Sequence, residues 1–305
     1  MTGKGHRFFF TGKDMKSGVV SAVKMIKWYG QLREERGDCM IKMVVTDIDG
    51  TLLPEATPVP PQEVTEVIGR LLDLGVRVVL ASGRPYSSLR NLFPTLRDRL
   101  IYLCSNGSVV MEGEEPLEAV PIGDPEEISR ALDFARERGE NWHIDSWSKS
   151  FTECTDQAYL DFISSVGVEI ESVEDVQALG VPITKLSLVY PDGPDAHFHD
   201  PDLDPFKEIF SVAPAGLVFI DFNKRSVNKG SAVKKLCDTY GIGPEEYMVF
   251  GDAMNDLTML EPAENSWCSV RSVDAVKAAC ARTFAPPEEG GVVHILQDLA
   301  DEMDG

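Results

Sequence analysis

Asp47 and Asp49 stand two residues apart in Asp47-Ile48-Asp49-Gly50-Thr51-Leu52, directly after the apolar run 43–46. Two carboxylates at the end of a buried strand are costly unless a cation offsets them. Gly50 permits a sharp turn immediately after the second of them. A calcium loop of the EF-hand kind is excluded, because glycine falls at the fourth position of this run and that loop needs it at the sixth. A single capping aspartate would explain one carboxylate and leave the other without a reason.

Three further groups complete a plausible chemistry. Ser82, with Gly83 and Arg84 after it, offers a hydroxyl and free backbone N–H groups that can grip a phosphate oxygen. Lys229, in Asn228-Lys229-Gly230, adds a positive charge at the start of a helix, already an anion site. Gly251-Asp252-Ala253-Met254-Asn255-Asp256 comes after another apolar run, and a helical turn would bring Asp252 and Asp256 onto one face. Each piece alone has an ordinary reading as a turn, a surface lysine or a helix cap. Together they suit transfer of a phosphoryl group. Mg²⁺ held by carboxylates would cancel the dianion's charge. Asp47 would attack phosphorus, and Asp49 would serve as acid and then base. Ser82 and Lys229 would stabilise the transferring oxygens.

Elements must deliver these groups to one place. Buried strands are expected at 43–46, 76–81 and 101–103, with helices at 60–74 and 85–96 between them. Each strand ends in a polar group: Asp47, Ser82 and then Ser105-Asn106-Gly107. In an open parallel sheet, ligands bind at the carboxyl ends of strands. The middle reads differently, with a hairpin of 108–111 and 117–120, strands at 141–145, 183–190 and 217–222, and helices at 125–138, 156–164, 173–179 and 204–210. The alternating rhythm returns with helix 229–240, strand 247–250, helix 256–260, strand 267–270 and helices 273–279 and 291–299. The fold class expected is therefore α/β, a doubly wound, Rossmann-like parallel-sheet core with an inserted α+β cap domain. The core takes 40–112 and 224–305, and the cap takes 113–223. The basic segment 1–39 is expected to be an extension outside the fold.

Composition narrows the partners. A formal net charge of -21 argues against nucleic acid, whose phosphates attract basic surfaces. It does not exclude a small anion, since one cation and a few donors reverse the potential locally. No apolar run is long enough to span a membrane. The cysteines form no C-x-x-C pair and are expected as free thiols in a reducing, cytoplasmic setting. His197-Phe198-His199 with Asp200, Asp202 and Asp204 lacks the glycine and glutamate of a calcium loop and is read as a solvated cap loop. Trp142, His143 and Trp147 are read as core residues ahead of substrate contacts. Oligomeric state is not legible.

The four motifs, in order, resemble those of the haloacid dehalogenase superfamily, and more closely the Cof-type phosphatases. Ser105-Asn106-Gly107 and Glu288-Glu289-Gly290-Gly291-Val292-Val293 resemble segments of the same group, with Ser108 a variation where many relatives have alanine. The resemblance runs from Met43 to the C-terminus. It implies Asp47 as nucleophile, Asp49 as acid/base, Ser82 on phosphate and Lys229 steadying the phosphoryl group. It implies Mg²⁺ on Asp47, Asp252 and the Asp49 backbone carbonyl, with Asn255 and Asp256 in support. Gly83, Arg84 and Asn106 are implied to face the substrate, a small phosphorylated metabolite. A phosphomutase using the same intermediate, a non-catalytic phosphate-ligand-binding protein, and a transport ATPase, which would need membrane helices, are the alternatives.

Overall fold

The protein, described from a computed structural model, is defined over residues 40–55, 57–165, 167–215 and 218–304. The basic segment 1–39 lies outside them. Two sheets divide the chain. The larger has eight strands in the order β14-β13-β12-β1-β2-β3-β4-β5. These are β1 (Met43–Asp47), β2 (Arg77–Ala81), β3 (Ile101–Cys104), β4 (Val109–Glu112), β5 (Glu115–Ala119), β12 (Tyr247–Gly251), β13 (Asn265–Ser269) and β14 (Arg282–Phe284). Strands β14 to β3 run parallel, and β4 and β5 extend the edge antiparallel. Because both strands of that hairpin stay in the large sheet, the chain leaves it after Ala119, several residues past the expected boundary at 113.

Helices cover both faces. On one side α1 (Gln62–Asp73) lies with α2 (Tyr86–Leu89) and the final helix of the chain, burying Ile68, Leu71, Leu89 and Leu296 against Val44, Val78 and Leu80. On the other, the helices between residues 228 and 280 bury Val233, Leu236, Met259 and Val276 against Met43, Val45 and Val79. The alternation of sides along β1 and β2 is the pleat of a strand buried on both faces. The helix expected over 85–96 stops at Leu89. Pro94 disfavours a helical Phe93 and cannot donate, so the chain proceeds in turns.

The smaller sheet has six strands in the order β10-β11-β9-β6-β7-β8. They are β6 (Asn141–Asp145), β7 (Ser150–Thr152), β8 (Ile170–Ser172), β9 (Lys185–Val189), β10 (Phe210–Ala215) and β11 (Phe219–Lys224). Helix α3 (Pro125–Arg138) and α6 (Asp204–Lys207) cover one face, where Trp142, Ile144, Leu186, Leu188, Ile220 and Phe222 form the core. Helix α4 (Gln157–Ser165) covers part of the other through Tyr159 and Ile163. Between them in sequence, α5 (Asp195–Phe198) carries the histidine loop of the cap, in which His197 pairs with Asp192 at the surface. Strands β7, β8, β10 and β14 are additions to the expected elements, being three to six residues long with little periodicity. Trp142 is core, and Trp147, in the β6–β7 turn, packs against the apolar cluster of the large sheet. The remaining helices are α7 (Lys229–Tyr240), α8 (Leu257–Leu260), α9 (Asp274–Ala279) and α10 (Gly291–Asp304).

The cysteines depart from expectation at one place. Cys268 and Cys280 form a disulfide, their Cα atoms 6.0 Å apart, while Cys104, Cys154 and Cys237 are free. Twelve residues separate the pair in sequence. The β13–α9–β14 unit brings them together at a spacing a disulfide can bridge. Among the described residues, no helix is long and apolar enough to cross a membrane.

Candidate active site

Strand β1 is central and lies between β12 and β2, at the point where the strand order reverses. Its register pairs Asp47 with Ala81 and Thr46 with Phe250. Asp47, Ser82 and Asp252 therefore emerge at the carboxyl ends of three adjacent strands, and Asn106 comes after the next.

Lys229 is the hinge of the cluster. It opens α7, whose N-cap Asn228 accepts from the Ser231 N–H at 2.9 Å. Its side chain is fully buried, with Nζ in contact with Asp47 Oδ1 and 2.7 Å from Asp256 Oδ1. Gly230 explains how α7 comes so close. A Cβ there would stand 2.0 Å from the Thr258 carbonyl oxygen, so only glycine lets α7 rest on α8. Asp256 is buried with both oxygens engaged. Oδ1 meets Lys229, and Oδ2 accepts the N–H groups of Asp252 at 2.9 Å and Ala253 at 3.0 Å. Thr51, to which the sequence alone assigns no role, donates to Asp252 Oδ1 at 2.6 Å. Gly50, at φ 82°, passes so close that a Cβ would lie 2.8 Å from Asp252 Oδ2.

Asp47, Asp252 and Asp256 each offer an oxygen within 4.8 Å of the others. Three carboxylates around one ammonium leave surplus negative charge in a buried place. Burial, with Asp256 and Asp252 alongside, raises the Asp47 carboxyl well above the usual range even though Lys229 pulls it down. Burial and Asp256 raise Asp252, against the Thr51 bond. The two aspartates outweigh burial and raise Lys229. Such a site fits a hard divalent cation taken by oxygen ligands. Asp256 already takes three hydrogen bonds, one of them from Lys229, so Asp47 and Asp252 are the less committed carboxylates.

The other expected residues sit around this centre. Arg84, expected to face a substrate, grips Asp49 with Nε at 2.8 Å from Oδ2 and Nη2 against Oδ1. The Asp49 carboxylate is thus turned to Arg84 and lies outside the acidic cluster. Ser82 is buried, and its Oγ accepts the Arg84 N–H at 3.1 Å. Asn106, in a left-handed conformation at φ 55°, accepts from Asn255 at 3.1 Å, and its N–H reaches the Ser82 carbonyl at 3.0 Å. The glycine of Ser82-Gly83 runs alongside the Asn106 amide.

Comparison with known proteins places this geometry in context. A family model described as haloacid dehalogenase-like hydrolase matches residues 44–296. The Bacillus subtilis 5-amino-6-(5-phospho-D-ribitylamino)uracil phosphatase YitU is 26% identical over 281 residues, covering 84% of this chain and 96% of that one. A Methanoculleus marisnigri phosphoglycolate phosphatase is 28% identical over 224 residues, covering 73% and 82%. A solved structure from Eubacterium rectale is 30% identical, covers 85% of this chain and 98% of that one, and superposes with a TM-score of 0.75.

Proposed function

Because the chain belongs to the haloacid dehalogenase-like hydrolases, we propose that it is a magnesium-dependent phosphatase that hydrolyses a small phosphorylated metabolite through an aspartyl-phosphate on Asp47. The observation that carries the reading is the buried contact of Lys229 with Asp47 at the end of the central strand. A carboxylate in that position, held by an ammonium that cannot leave, is oriented for attack and unsuited to a purely structural salt bridge, which an apolar pair would replace at no loss.

Asp47 attacks phosphorus, the bond to the leaving oxygen breaks, and an acyl phosphate forms on Asp47. Asp49 gives its proton to the departing alcohol and then takes one from the water that cleaves the acyl phosphate. Lys229 and the Ser82 hydroxyl meet charge on the transferring oxygens. Asp256 holds Lys229 in place, and Thr51 orients Asp252. Asp47, Asp252 and the Asp49 backbone carbonyl would hold Mg²⁺, which when bound neutralises the phosphate dianion. Arg84 and Asn106 remain candidates for the substrate side, with Arg84 first having to exchange Asp49 for the phosphate. Residues 120–223, which follow the last strand of the β4–β5 hairpin and end in the smaller sheet, would act as a cap that shields the site from water. The activities named for the two relatives support a small phosphate monoester, and they differ in the alcohol.

The test is inorganic phosphate release from a panel of phosphorylated metabolites, with Mg²⁺ and with EDTA, using Asp47→Asn as control. Mg²⁺-dependent release that the variant lacks is the expected result. Release that survives in Asp47→Asn, or after thorough chelation, would overturn the mechanism.

A further inference from the structure

The six-stranded sheet has two unlike faces. One is the apolar core under α3. On the other, β6 carries His143 and Asp145, β9 carries Lys185 and Ser187, and β11 carries Asp221. The register sets Asp145 opposite Lys185 and Ser187 opposite both His143 and Asp221. All five are buried. Lys185 Nζ donates to Asp145 Oδ2 at 2.9 Å and stands 3.6 Å from Asp221 Oδ2. Ser150 donates to Asp145 Oδ1 at 2.5 Å and Ser187 to Asp221 Oδ1 at 2.7 Å. Taking an ammonium and two carboxylates out of water costs several kcal/mol per ion before their attraction is counted. A sheet needing only cohesion would use apolar residues, as its opposite face does.

This polar face meets the catalytic edge of the large sheet. Ser105 Oγ donates to Asp145 Oδ2 at 3.4 Å. The Ser105 N–H donates to the Arg84 carbonyl at 2.9 Å, and Arg84 is the residue that grips Asp49. Trp147, two residues past Asp145, packs against the large sheet's core.

The polar inventory of the face is not closed. Among the described residues, the Lys185 ammonium has three protons and one carboxylate at hydrogen-bond distance, because 3.6 Å to Asp221 is too long. Burial pushes the His143 imidazole down to about 4, so it is neutral at pH 7. One ammonium and two carboxylates then leave a net negative charge. A hydroxyl can accept from Lys185 and donate to Asp221. A ligand carboxylate could take only the first bond and would face two carboxylates in a dry place.

We propose that Lys185 and Asp221, anchored by Asp145, bind the alcohol portion of the substrate and select neutral, polyhydroxylated phosphate monoesters over those bearing a carboxylate. The inference rests on the phosphatase reading above. It is tested on the full chain with Mg²⁺, comparing wild type, Asp221→Asn and Lys185→Met on ribitol 5-phosphate, phosphoglycolate and p-nitrophenyl phosphate. Wild type should favour ribitol 5-phosphate over phosphoglycolate by about tenfold or more in kcat/KM. Each variant should lose about ten- to hundredfold on ribitol 5-phosphate, mostly through KM, and stay within about threefold on p-nitrophenyl phosphate. An equal loss on all three compounds would mean a structural role and overturn the proposal. Wild type preferring phosphoglycolate, or showing no preference, would overturn it even if neither variant folds. Release from p-nitrophenyl phosphate by wild type separates the two readings: its absence, with no release from the others, sinks the phosphatase reading and this one with it.

Discussion

Lys229 carries more of the site than any other single residue. It is fully buried between Asp47 and Asp256, and its removal strands two carboxylates away from water. Lys229→Met should destabilise the fold by about 3–5 kcal/mol, read by urea unfolding, and should abolish turnover as well. Asp47→Asn is the informative contrast. It removes one of the surplus carboxylates, so its melting temperature should match or exceed that of wild type. Phosphate release should fall by at least about a thousandfold. A melting temperature several degrees lower would show that Asp47 is there for cohesion. Arg84 is a reminder that residue type does not decide a partner. It can reach a phosphate or a carboxylate, and here its planar fork matches Asp49.

At the scale of elements, the site is an edge made by four strand ends and one helix start. Parallel pairing of β12, β1, β2 and β3 puts their carboxyl termini side by side. Helix α7 reaches that edge from a distant part of the chain because Gly230 lets it pack on α8. Gly230→Ala should cost about 1–3 kcal/mol in stability and lower kcat, because relief of the clash moves Lys229 away from Asp47. Chemical denaturation and steady-state kinetics on the same preparation check both. An alanine variant with unchanged kcat would mean that α7 has slack the structure does not suggest.

For the whole molecule, charge and the pairing of two sheets govern behaviour. The chain's net charge is -21, and the catalytic edge concentrates part of that charge in a buried space. Mg²⁺ should therefore stabilise as well as activate. At a hundredfold excess over its Kd the gain is about 2.7 kcal/mol, seen as a rise in melting temperature that Asp252→Asn removes. The polar face of the smaller sheet sets an acid response. Unfolded, His143 takes its proton near the ordinary value of about 6.5; folded, burial holds it down to about 4. The unfolded state thus binds more protons between those values. Stability is lost as pH falls through that window and is unaffected by His143 above it. The full window is worth at most about 3 kcal/mol. Urea unfolding at pH 7, 5.5 and 4.5 should show the slope, and His143→Phe should flatten it.

The sequence by itself determined the parts of this protein that are local. Apolar runs ending in Asp47, Ser82, Asn106 and Asp252 are legible as buried strands, because a strand buried on both faces needs no polar residue until its end. Gly50 marks its turn for the same local reason, and Asn228-Lys229-Gly230 the start of a helix, whose cap by Asn228 only the structure shows. Short strands such as β7 and β14 are not legible, since three residues carry almost no period. Only the tertiary structure decided which side chains meet. Lys229 lies 182 residues from Asp47, and no spacing rule spans that distance. Arg84 chose Asp49, Thr51 found Asp252, and Cys268 reached Cys280 only once strands were neighbours. Lys185 left one trace, a charge inside the apolar run 183–190. Its meaning depends on Asp145 and Asp221, which the sheet register brings to the same face. Local signals act over a few residues, whereas partners for buried charge are set by how whole elements pack.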